Sequence, residues 1–114
     1  MPTPQHFFDL DIRVGTVLHA EPSPPEARKP SIRMRIDFGA ELGVKQSSAQ
    51  LTLRYTPSAL VGRQVIAVTN IGTRRIAGYV SEVLVLGAMP AADDVILLGT
   101  DTADGAVANG TRIG

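Results

Sequence analysis

The chain has 114 residues, 44% of them hydrophobic, and its eleven basic and eleven acidic residues leave no net charge. That length makes one domain near the lower limit for a self-sufficient core, so some of the apolar surface is expected to be covered by a second subunit. Cysteine is absent, which excludes disulfides, thiolate zinc sites and cysteine nucleophiles together.

The first clear element is a strand. Ile12, Val14, Thr16 and Leu18 alternate with Arg13, Gly15, Val17 and His19, and a period of two puts alternate side chains on opposite faces. "PSPPEARKP" (22–30), with four prolines in nine residues, reads as a stiff loop. "SIRMRIDFG" (31–39) is the cleanest strand, Ile32, Met34, Ile36 and Phe38 alternating with Arg33, Arg35 and Asp37. "GVKQSSAQL" (43–51) is a weaker strand, polar on both faces. "TLRYTPSALVG" (52–62) is the one helical segment, split by Pro57 into two short turns and closed by Gly62. "RQVIAVTN" (63–70) and "VSEVLVLG" (80–87) are continuous apolar runs, as expected of strands covered on both sides. "GAMPAADD" (87–94) reads as a turn before a last short strand, "DVILLG" (94–99).

Five strands with a short helix between the third and fourth is the order of an OB-fold barrel, an all-β architecture that here spans residues 1–114 as a single domain. In that fold the loops joining strands one to two and four to five flank the ligand face. Here each carries a basic pair, Arg28-Lys29 in one and Arg74-Arg75 in the other, predicting convergence on one mouth with Arg33, Arg35 or Lys45 from the strands between. Phe7, Phe8 and Leu10, together with Val95, Ile96, Leu97 and Leu98, exceed what a five-stranded barrel needs and are assigned to a homodimer interface.

Charge is unevenly placed: residues 28–75 hold nine basic against two acidic side chains, while both flanking segments are acidic. Either folding makes a basic and an acidic face of this, or it interleaves the segments and cancels it. No apolar run approaches the roughly 20 residues of a membrane span, and no charged-then-apolar leader precedes Phe7, so a cytoplasmic protein is expected.

Catalytic chemistry finds little support. His6, Asp9 and Asp11 lack further histidines in a ligand pattern, His19 standing alone, so they read as solvent-facing residues around a docked Phe7, Phe8 and Leu10. Ser47 and Ser48 lack a strained glycine elbow and a His–carboxylate partner, and read as hydroxyls lining a groove. Asp93-Asp94 reads as a turn, and no glycine pattern makes a phosphate loop. The chain is read as a binding protein without cofactor or metal, not an enzyme. Phe7, Phe8 and Phe38 are too few for a base-stacking platform. Ser81 and Glu82 open an otherwise aliphatic strand. A carboxylate there needs an arginine or backbone donors beside it, and an ion pair pinning the loop and a ligand contact both stay open. Asn70 either ties down the turn that follows it or recognises a bound polymer.

The stretches "FDLDIRVGTVLHAEPSPPEAR", "IDFGAELGVKQSSAQ", "LVGRQVIAVTNIGTRRIAGYVSEVLVLG" and "NGTRIG" together resemble the tRNA-binding OB domain family over residues 7–113, and within it the CsaA-type bacterial export chaperones. Where the tRNA-binding members carry a His-Pro-Asn-Ala-Asp type sequence after the first strand, this chain has "PSPPEARKP". Where they carry Ser-x-Gly-Met, it has Ser81-Glu82-Val83-Leu84. The resemblance implies a homodimeric OB-fold with N- and C-terminal elements at the interface. It implies a cytoplasmic chaperone for unfolded or signal-bearing preproteins, working beside the protein translocation machinery, with tRNA or RNA binding on the same face as the alternative. On the chaperone reading, Lys45, Gln46, Ser47, Gln50 and Asn70 bond a peptide backbone, and Ser48 belongs to the same binding site. Arg74 and Arg75 meet its carboxyl groups, aliphatic walls accept its apolar side chains, and Arg28, Lys29, Arg33, Arg35, Ser81, Glu82 and Val83 belong to the same binding site.

Overall fold

The computed structural model describes residues 1–76 and 78–114. A one-turn helix α1 (Pro4–Phe8) precedes β1 (Ile12–Pro22) and β2 (Ile32–Asp37). Then come α2 (Gly39–Leu42), β3 (Val44–Ala49), α3 (Pro57–Leu60) and β4 (Gln64–Val68). The last part of the chain is cut into short pieces: β5 (Arg74–Ile76), β6 (Tyr79–Ser81), β7 (Leu84–Val85), β8 (Gly87–Ala91) and β9 (Asp94–Leu97).

β3, β2, β1, β4 and β7 form, in that order, one antiparallel sheet. It curls into a nearly closed five-stranded barrel of the OB type. Curling depends on β1, which pairs through Ile12–Thr16 with β4 and through Thr16–Pro22 with β2. At the bend, a Cβ on Gly15 would lie 2.7 Å from Ile36 and 2.8 Å from Phe38, so only glycine lets the strand fold back over the core there. The alternation in β2 is realised: Ile32, Met34, Ile36 and Phe38 are buried with Val17, Leu51, Leu60, Val65, Ala67 and Val83. Leu60 is the buried residue of α3, the single turn between β3 and β4, while residues 52–54 form a separate turn.

Several local expectations are corrected. α1 and α2 are helical although no helix was expected there. Both are single turns, too short to show a 3.6-residue period, and α2 is bounded by Gly39 and Gly43 at φ +87° and +74°. The run 80–87 is not one strand, because pairing breaks at Glu82-Val83. "GAMPA" is strand β8, paired with β9, rather than a turn.

The C-terminal segment docks on its own barrel. Val14 N–H donates to Thr111 O, Gly110 N–H to Val14 O and Ile113 N–H to Ile12 O. Asn109-Gly110 interlocks with Phe38-Gly39: a Cβ on Gly110 would stand 2.6 Å from Phe38 O, and one on Gly39 2.6 Å from Asn109 O. Val95 and Leu97, both half-buried, also pack against the barrel core. Phe7, Phe8, Leu10, Ile96 and Leu98 remain exposed. Among the described residues no helix is long and apolar enough to cross a membrane.

Candidate binding cleft

The barrel closes between β3 and the β6–β7 segment, and the closure is made largely by side chains. Glu82 N–H donates to Gln46 O at 2.8 Å, while Gln46 N–H donates to the Glu82 carboxylate at 3.0 Å. Gln46 Nε2 donates to Val80 O at 2.8 Å. Ser48 N–H donates to Ser81 Oγ at 3.2 Å, and buried Ser47 donates to Val83 O at 3.1 Å. This explains a Ser-Glu pair at the mouth of an aliphatic strand: each offers a side-chain oxygen where the broken strand presents no ladder carbonyl. Of the two kinds of partner expected for it, the Glu82 carboxylate thus has a backbone donor, Gln46 N–H.

On the outside of this seam lies a cleft of about 420 Å³, lined by Glu26, Ala27, Arg28 and Lys29 from the β1–β2 loop, Ser31 at the foot of β2, Ser48 and Gln50 from the end of β3, and Ile76 of β5. A second hollow of about 340 Å³ shares Lys29 and Gln50 with it and adds Pro30, Thr52, Leu53 and Asp93. The two make one groove across the face that the β1–β2 and β4–β5 loops flank. Its shape is held from below: Ser23 and Ser31 close the neck of the first loop, Ser23 N–H donating to Ser31 O at 2.9 Å and Ser31 N–H to Ser23 Oγ at 3.0 Å. On the far side Arg54 donates to both carboxylate oxygens of Asp94, anchoring the β8–β9 hairpin against the 52–54 turn. That ion pair holds the Asp94 carboxyl below its ordinary range.

The expected site residues are therefore distributed unevenly. Arg28, Lys29, Ser48 and Gln50 line the groove. Arg74 and Arg75 are exposed on β5, and it is their neighbour Ile76 that forms the wall. Arg33 stacks on Tyr79, its guanidinium carbon 4.7 Å from the ring centre. Burial raises the Tyr79 phenol above its ordinary range. Arg35 is exposed opposite Gln46.

Other residues sit elsewhere. Lys45 is in register with Ile36, at the far end of β3 from the groove. Val83 (4% exposed), Ser47 (1%) and Ser81 (7%) are buried, a correction to their expected place on the binding face. Asn70, although exposed, does not tie down the turn after it. Its Oδ1 accepts Asp11 N–H at 2.8 Å and its Nδ2 donates to Asp9 O at 2.8 Å, clipping the segment after α1 to the end of β4. Ser31, Ala27, Ile76 and Leu53 were missed, because their roles arise where separate loops meet.

Folding cancels part of the charge segregation. Arg54 is neutralised by Asp94, and Arg63 lies over Tyr55. Arg28 and Lys29 line the groove beside Glu26, while Arg74 and Arg75 are exposed on β5.

Residues 12–112 match the model of the putative tRNA binding domain family, and the chain belongs to that family. Within it the full-length likeness runs to the CsaA type. A crystal structure of the chaperone CsaA from Bacillus anthracis is 50% identical, with a TM-score of 0.87 over 100% of this chain and 99% of that one. A CsaA chaperone structure from Picrophilus torridus is 38% identical, with a TM-score of 0.87 over the whole of both chains. The methionine–tRNA ligase of Methanococcoides burtonii is 36% identical over 81% of this chain, which spans 13% of that enzyme's length.

Proposed function

We propose that this chain is a chaperone that binds unfolded or signal-bearing preproteins in the groove and serves protein export in the cytoplasm as a homodimer. The observation that carries this reading is the make-up of the groove: an apolar wall of Ile76, Ala27 and Leu53, a floor of serine and glutamine, and cations at its rim. Apolar walls take the side chains of an extended segment, neutral floor groups bond its backbone, and Arg28, Lys29, Arg74 and Arg75 receive acidic neighbours. The full-length likeness to CsaA chaperones supports it. Exposed Phe7 (42%), Phe8 (62%), Ile96 (37%) and Leu98 (41%) suit a subunit interface.

The alternative, tRNA binding on the same face, is favoured by the family and by the ligase relatives. Against it, among the described residues no aromatic side chain lines the groove, and a face of nearby Tyr79 is taken by Arg33, so the groove itself offers no ring for a base to stack on. The deciding experiment measures suppression of aggregation of a chemically unfolded client beside a tRNA mobility-shift titration. Protection of the client without a shift is the expected result; a shift without protection gives the function to the alternative.

A further inference from the structure

The floor of the larger cleft holds two hydroxyl groups and one hydrogen without an acceptor. Ser31 and Ser48 both line it, and their oxygens lie 3.0 Å apart, either able to donate to the other. Neither is free to turn its backbone away. Ser31 N–H is bound to Ser23 Oγ and Ser48 N–H to Ser81 Oγ, and Ser31 is 6% exposed. Each hydroxyl carries one hydrogen and two lone pairs. The bond between them uses one hydrogen, and the other has no acceptor among the described residues. The space open to it is the cleft.

We infer that Ser31 and Ser48 act as one shared hydrogen-bond donor to a main-chain carbonyl of an extended peptide, whose adjacent apolar side chain lies against Ile76 and Ala27. The inference rests on the chaperone reading and names the group in the groove that holds the peptide backbone. A neutral donor at the floor of an apolar-walled cleft suits a neutral acceptor, because desolvating a carboxylate or phosphate there costs more than one hydrogen bond returns. Acidic groups are met at the rim instead, by Arg28 and Lys29.

A shared donor has a distinctive mutational signature. In Ser31→Ala the hydroxyl of Ser48 loses its partner but keeps its hydrogen, and in Ser48→Ala the hydroxyl of Ser31 does the same. Each single variant therefore still donates to the peptide, and only the double variant cannot.

The test uses a fluorescein-labelled, end-capped peptide of alternating leucine and aspartate, titrated by anisotropy against the full chain and the three variants, with thermal melts to confirm folding. Each single variant should bind within about twofold of the wild type. The double variant should lose about five- to tenfold, the worth of one hydrogen bond. Independently of the variants, thioamide replacement of each peptide carbonyl in turn, a weaker acceptor, should weaken binding to the wild type at one central position. Equal binding by wild type and double variant, additive losses in the two singles, or no sensitive carbonyl overturns the inference. Failure of the wild type to bind the peptide also overturns it. The chaperone reading falls with it only if the wild type also leaves an unfolded client unprotected.

Discussion

Glu82 takes the place of a ladder residue opposite Gln46 by using both of its ends: its N–H donates to Gln46 O, and its carboxylate accepts Gln46 N–H. The partner is a backbone amide and not a cation, so the charge is incidental to the bond. Glu82→Gln keeps an acceptor oxygen and should change stability by less than about 0.5 kcal/mol. Glu82→Ala leaves the Gln46 amide without its partner and should cost about 1–3 kcal/mol. Urea unfolding of the two variants separates these; equal losses would show that the carboxylate charge matters after all.

Arg13 joins three parts of the chain, donating to Asp11 at 2.6 Å, Glu41 at 2.9 Å and Gly110 O at 3.0 Å. Its hydrogen bond holds the Asp11 carboxyl below the ordinary value of 3.8. The unfolded carboxyl takes up a proton first as pH falls. The stabilisation is therefore complete above the unfolded pKa and is lost as pH drops through the depressed folded value. Asp11→Asn should lower stability at pH 7 and flatten the acid side of the stability curve without abolishing it, since Asp94 is depressed in the same direction by Arg54. Melting temperatures from pH 7 to 2 that run parallel in both proteins would contradict this.

Gly110→Ala places a methyl 2.6 Å from Phe38 O at a residue with φ +89°. Strain and clash together should cost about 2 kcal/mol or more, read as a lowered melting temperature. Gly105→Ala meets no atom within 4 Å at a similar φ of +97° and should show the conformational strain alone, at about 1 kcal/mol.

Removing both Arg74 and Arg75 discriminates the two functions. If they meet phosphates, the slope of log affinity for tRNA against log salt should fall by nearly two, at about 0.9 per duplex contact or ~0.7 per single-strand contact. If they frame a peptide groove, peptide affinity should fall modestly. Binding by the intact protein should then carry the negative heat-capacity change of apolar burial. The second outcome is expected, and calorimetry at three temperatures with a salt series reads both.

Assembly follows from the apolar side chains left outside the core. A stable homodimer should hide on the order of 1,200 Å² or more, and Phe8→Asp combined with Leu98→Asp should convert it to a monomer. Light scattering at micromolar concentration that returns a monomer mass for the unchanged protein would remove the dimer from the proposal.

The strands and the core were legible in the sequence because their signal is local. Ile32, Met34, Ile36 and Phe38 announce their inward face by a period of two that any register preserves. The five-strand order with its intervening turn then selected the barrel. Loop order alone singled out the Arg28-Lys29 pair, which lines a cleft in the structure.

What tertiary structure decided are the relationships between residues far apart in the chain. Val83 reads equally well as groove wall or core, and packing with Phe38 and Met34 in one cluster settles it as core. The strand at 80–87 breaks because Ser81 and Glu82 spend side-chain oxygens on β3 amides more than thirty residues away. Asn70 reaches back about sixty residues to Asp9 and Asp11 rather than forward to its own turn. Ser31 becomes a floor residue only because Ser48 arrives beside it. A sequence displays periodicity and chemistry, and these set which face of a strand turns inward. Which oxygen finds which amide depends on where distant strands come to rest, and only the closed barrel brings those partners within bonding distance.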